Sequence, residues 1–142
     1  MKNLLFVFLF LAFGLVAVSP AQAQCNSDGF TDTCLGSLKD GFTFLKSFKI
    51  DGQGGAKQKV EYSYVFSKDT KYYINVCGQN GVDGIIVTMY DSNRKLVATN
   101  HANGKFYPGI TYPCNATGIY YITFTFKDSE NYCGGSVLGF SR

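Results

Sequence analysis

One imidazole, five cysteines and a few neighbouring carboxylates are the groups in this chain that could do chemistry. His101 sits in the run Asn100-His101-Ala102-Asn103-Gly104, a composition that reads as a surface loop. A hydrolase would use it as the base for a serine or cysteine nucleophile. No G-x-S-x-G elbow occurs, and Gly134-Gly135-Ser136 stands at the start of a strand pattern instead. Asp28 shares a loop with Asp32, and Asp128 with Glu130. Acid–base catalysis needs two carboxyls in unlike environments, which solvated loops do not supply. Gly52-Gln53-Gly54-Gly55 lacks the Gly-Lys-Ser/Thr and the following helix of a phosphate loop, and reads as a flexible connection. A single histidine excludes a multi-histidine metal site, and no C-x-x-C pair offers a zinc knuckle. The expectation is a protein without catalysis and without a cofactor.

The cysteines acquire meaning from the amino terminus. Lys2, an apolar run over residues 4–13, Pro20 and the A-x-A motif Ala21-Gln22-Ala23 form the three parts of a secretory signal. The apolar run to Val18 is shorter than the roughly 20 residues of a membrane span, and no basic stop-transfer cluster follows it. Residues 1–23 are therefore expected to be a cleaved signal peptide, leaving residues 24–142 as one exported domain with no membrane span. Cys25, Cys34, Cys77, Cys114 and Cys133 all lie in the exported part, where an oxidising compartment favours disulfides. Five is odd, so one thiol stays over. Spacing alone leaves the pairing open. The net charge of +3, which falls by one with Lys2, is too small for a nucleic-acid binder working by bulk charge.

The elements that must position these groups read as strands. Residues 24–41 form a polar, irregular lead-in. Residues 42–50 alternate loosely and end in the glycine cluster. Tyr62, Tyr64 and Phe66 share one face of a strand, and Tyr72, Ile74 and Val76 share one face of the next, so the pair suggests a hairpin about residues 67–70. Residues 85–90 are apolar on both faces and predict a central strand, with a return strand over residues 95–99. A short strand ends at Pro113, which lacks the amide a ladder needs. Residues 119–126 alternate best: Tyr120, Ile122, Phe124 and Phe126 face one way, and Tyr121, Thr123 and Thr125 the other. Residues 136–140 close the domain. No segment shows a clean 3.6-residue period. Seven or eight such strands predict an all-β, antiparallel β-sandwich.

Aromatic content is the unusual feature, with 10 Tyr, 13 Phe and no Trp. Outward-facing Tyr73 and Tyr121, with loop residues Phe106, Tyr107 and Tyr132, are candidates for a binding face. A tyrosine ring stacks on sugars and peptides while its hydroxyl hydrogen-bonds. Asn115-Ala116-Thr117 matches a glycosylation sequon and also suits a turn.

Three places resemble bacterial pre-peptidase C-terminal domains. They are Tyr62-Ser63-Tyr64-Val65-Phe66 through Tyr73-Ile74-Asn75-Val76; the hairpin Val87-Thr88-Met89-Tyr90-Asp91 through Lys95-Leu96-Val97-Ala98; and Thr117-Gly118-Ile119-Tyr120-Tyr121-Ile122-Thr123-Phe124. The resemblance runs over residues 60–140. It implies a jelly-roll-like sandwich on an exported accessory module that binds rather than reacts. It also implies calcium near the central strand, for which Asp83 and Asp91 are the candidates here. The cysteines depart from that group. In the strand reading, a Cys77–Cys133 bridge would tie the middle of the chain to the last strand, Cys25–Cys34 would clip the lead-in, and Cys114 would be free. The expected function is a module at the cell surface, in the periplasm or outside, that recognises an extracellular polymer or protein. The alternative is a structural subunit of a surface assembly, joined through the odd cysteine or exposed strand edges.

Overall fold

The computed structural model describes residues 24–81, 84–127 and 131–142. The signal segment, Asp83, Asp128 and Glu130 lie outside the described residues. Ten strands occur among those described: β1 (Thr43–Asp51), β2 (Lys59–Phe66), β3 (Lys71–Gly78), β4 (Ile85–Tyr90), β5 (Leu96–Thr99), β6 (His101–Ala102), β7 (Lys105–Phe106), β8 (Gly109–Pro113), β9 (Gly118–Phe126) and β10 (Cys133–Ser141). Two four-stranded sheets run β1-β10-β3-β8 (sheet A) and β2-β9-β4-β5 (sheet B), while β6 and β7 form a separate two-stranded ribbon. The pairings are antiparallel. Taking the eight long strands in chain order, the sheets read 1-8-3-6 and 2-7-4-5, the order of a jelly roll.

The core lies between the sheets, where the alternation placed it. Phe48 and Ile74 from sheet A meet Phe66, Val87, Ile122 and Phe124 from sheet B, all at most 1% exposed. The expected β2–β3 hairpin does not form. β2 pairs with β9 and β3 with β10 and β8, so the chain changes sheets between them. The rings that suggested a shared face instead meet across the core: Phe66 stacks on Tyr72 at 3.9 Å and 14°. The corner is held by the Ser67 amide, which donates to the Tyr72 hydroxyl at 2.9 Å, and the Asp69 amide, which donates to the Cys114 carbonyl at 2.9 Å.

The lead-in holds a helix, which the sequence reading left irregular: α1 (Ser27–Gly36). Asn26 caps it, its side-chain oxygen accepting from the Gly29 amide at 3.3 Å. Its buried residues are Ser27, Thr31 and Cys34. They follow helical spacing, but two are polar and one is a cysteine, so hydropathy does not mark the stripe. α1 lies on the outer face of sheet A. Gly135 is its seat: a Cβ there would stand 2.7 Å from the Phe30 carbonyl carbon and collide with the Thr31 amide.

The disulfides also differ from expectation. Cys25 bonds Cys133, and Cys34 bonds Cys77. Cys25 and Cys34 stand at opposite ends of α1, about 13 Å apart at the helical rise, beyond the roughly 7 Å that a disulfide spans. Cys77 lies opposite Gly135 rather than Cys133, and α1 carries Cys34 over it. Cys114 is the free cysteine and is buried.

Candidate functional site

The five aromatic residues proposed as a binding face do not share one. Tyr73 is 9% exposed, on the covered side of sheet A, against Phe42 with ring centroids 5.4 Å apart. Burial raises its phenol above the ordinary tyrosine pKa. The helix and the segment after it cover the face that its strand parity suggested was open. Tyr121 lies on the outer side of sheet B, and the Arg94 guanidinium rests 3.5 Å from its ring centroid. That ring face is occupied. Phe106 packs on His101 at 4.6 Å within the β6–β7 ribbon. Tyr107 is 46% exposed beside it, with its amide donating to the Asn100 carbonyl at 2.7 Å.

Asn100 anchors this ribbon and was missed by the sequence reading. Fully buried, it accepts from the Val87 amide at 2.8 Å and donates to the carbonyls of Ile85 and Tyr107. Asp91 is committed to its turn, accepting from the amides of Asn93 and Lys95 at 2.9 Å each. Asp83 lies outside the described residues. Among the described residues no three His, Cys, Asp or Glu side chains gather as a metal site.

Tyr132 is different. It lies beside a groove of about 850 Å³ at one end of the sandwich, next to the Cys25–Cys133 bridge. The glycine loop, read from sequence as a flexible connection, is its mount. The Gly52 amide donates to the Tyr132 carbonyl at 2.7 Å. A Cβ on Gly52 would stand 2.9 Å from Tyr132 Cβ, and one on Gly55 would stand 3.1 Å from its ring. Phe126 meets the ring edge-on at 5.2 Å. Tyr132 has φ 43° and Gln53, across the loop, φ 51°. Bulky residues rarely adopt this left-handed backbone unless their surroundings impose it.

The remaining lining is rich in amides: Gln24, Asn26, Gln53, Gln79 and Asn131. Among the described residues, Asp51 is the one carboxylate lining the groove, and no basic side chain lines it. Asp51 Oδ1 accepts from the Gln53 amide at 2.8 Å, which fixes the loop. Amides both donate and accept, and Phe30 and Tyr132 add ring surface, so the groove suits a polar ligand of little charge. The signal that could have found it is strand parity. Successive long strands run in opposite directions, so the connections after β1, β3 and β9 open at the same end, and these carry Gln53, Gln79 and Asn131.

No protein-family model and no curated protein matches the chain. Among solved structures, it is similar in fold to a periplasmic inhibitor of g-type lysozyme from Aeromonas hydrophila, with 12% identity, 70% of this chain and 86% of that one covered, and a TM-score of 0.45. It is also similar to the pre-peptidase C-terminal domain of a collagenase from Bacillus anthracis, with 19% identity, 70% and 89% covered, and a TM-score of 0.44. Two disulfides fit an extracytoplasmic location. Among the described residues no helix is long and apolar enough to cross a membrane.

Proposed function

We propose that this protein is a non-catalytic exported module that binds an extracellular or cell-envelope polymer or protein in the groove beside Tyr132. The observation that carries the reading is Tyr132 itself, a large side chain held at φ 43° on a glycine mount beside an amide-lined groove. Local strain of this kind concentrates at binding sites, where the rest of the fold sustains it. The ligand expected is a polar segment of low charge, an oligosaccharide or a peptide. The two cysteines among the described lining residues are joined to each other.

Calorimetry with neutral cell-wall oligosaccharides and with uncharged peptides tests it. Binding to the natural chain and its loss in Gln79→Ala, with the unliganded unfolding midpoint unchanged, is the expected result. Equal binding by Gln79→Ala and Tyr132→Ala would remove the groove from the reading.

A second reading, a structural subunit, draws on sheet B. Val65 and Ile119 pair across its outer face at 58% and 47% exposure. A subunit of this kind would self-associate in sedimentation and lose that association in Val65→Lys. The odd cysteine no longer motivates a covalent assembly, because Cys114 is buried.

A further inference from the structure

We propose that Gln24 becomes the amino-terminal residue when the leader is cut after Ala23, and that it cyclises to pyroglutamate at the rim of the groove. The Ala21-Gln22-Ala23 motif puts the cut immediately before a glutamine. Gln24 is exposed and lines the groove, and among the described residues no hydrogen bond holds its side chain. The next residue is fastened by the Cys25–Cys133 bridge, so the new terminus stays at the rim. Ring closure needs only rotations within Gln24, and the bridge does not oppose it.

The unprotonated α-amine attacks the side-chain amide carbon. A carbon–nitrogen bond forms, the bond to the amide nitrogen breaks, and that nitrogen leaves as ammonia with the proton given up by the amine. No electron transfer and no co-reactant is involved. An α-amine titrates at about 7.7–8.0, so an appreciable fraction is unprotonated at neutral pH. Cyclisation removes the one cationic group that cleavage would place in the groove. Among the described residues, Asp51 then remains its one charged lining group.

The test uses the protein exported with its own leader, purified and held until its cation-exchange elution stops changing. Mass spectrometry is expected to find an amino-terminal peptide beginning at residue 24 and lighter by one ammonia. Sequential Edman degradation should read nothing until pyroglutamyl aminopeptidase is added. Gln24→Ala should keep its free amine and elute later from the cation exchanger. An intact Gln24 with a free amine after that incubation, or a chain beginning at another residue, overturns the proposal. Both readouts are independent of ligand, so failure here leaves the groove reading to its own experiment.

Discussion

The two outer faces of the sandwich begin from similar material and end differently. Each alternates polar residues with tyrosine: Tyr73 and Asn75 on β3, Tyr121 and Thr123 on β9. Sheet A's face is roofed by α1 and the segment after it, and Tyr73 and Asn75 are buried there. Asn75 becomes a strut, donating to the Cys34 carbonyl at 2.8 Å and accepting from the Val137 amide at 3.0 Å. Sheet B's face carries no such helix among the described residues: Val65, Leu96 and Ile119 are about half exposed and Arg94 is laid over Tyr121, although Thr123 is buried, its hydroxyl donating to the Thr88 carbonyl at 3.2 Å. Hydrophobicity does not separate the two. Glycine and cysteine do: Gly135 and Gly139 leave room for a roof, and Cys77 supplies a fastening.

Removing the fastening should have the largest effect. Cys34→Ala with Cys77→Ala opens a bridge of sequence separation 43, worth about 4 kcal/mol on the chain-entropy estimate. Denaturant unfolding should show that loss, and hydrogen exchange should show α1 unprotected before either sheet. Filling the seat comes next. Gly135→Ala forces its Cβ into the α1 backbone, and overpacking of this kind costs about 1–3 kcal/mol. If its unfolding matches that of the natural chain, the helix is not seated where the structure puts it.

Between the faces, Ser136 is fully buried and its hydroxyl has no hydrogen-bond partner among the described residues. Ser136→Ala should raise stability by about 1 kcal/mol, because an unsatisfied hydroxyl is removed from the core. The smallest effect belongs to the bare face. Arg94→Ala should scarcely move the unfolding midpoint, as expected of an exposed pair. Its pH dependence still identifies it. The Arg94 hydrogen bond holds the Glu61 carboxyl below its usual range. A carboxyl with a lowered folded pKa contributes stability above the ordinary carboxylate range and loses it as pH falls through the lowered value. Any difference between Arg94→Ala and the natural chain should therefore be present at neutral pH and vanish in acid.

The strands were legible because large residues write the alternation. Tyr120, Ile122 and Phe124 announce β9 whichever sheet it joins. Partners were not legible, since β2 and β3 show the same inward rings in a hairpin and across a corner. α1 was hidden because its buried stripe is Ser27, Thr31 and Cys34. The disulfide pattern was unreadable for the same reason: only the helix shows that Cys25 and Cys34 stand apart. Of the site, Tyr132 was nominated as an aromatic, but its five amide neighbours come from four segments: Gln24 and Asn26 from the lead-in, and Gln53, Gln79 and Asn131 from three loops. Polar loop residues carry no periodic signal; strand direction brings three of them together, and the Cys25–Cys133 bridge brings the other two.

The Cys25–Cys133 bridge spans a sequence separation of 108 and sets an order of events. A chain threaded out amino terminus first delivers its cysteines in sequence. Cys25 and Cys34 emerge early and have only each other until Cys77 follows. Cys34 then has its partner, but Cys25 must wait for the last cysteine to arrive, with Cys114 passing in between. Any early Cys25–Cys34 bond must be undone by thiol–disulfide exchange before α1 can stretch between them. In a chain exported in this way, the mature bridge would close only after almost all of it had crossed. A molecule stalled in transit is chemically distinct from a finished one: it still carries a thiol, or the wrong bond, at the rim of its groove.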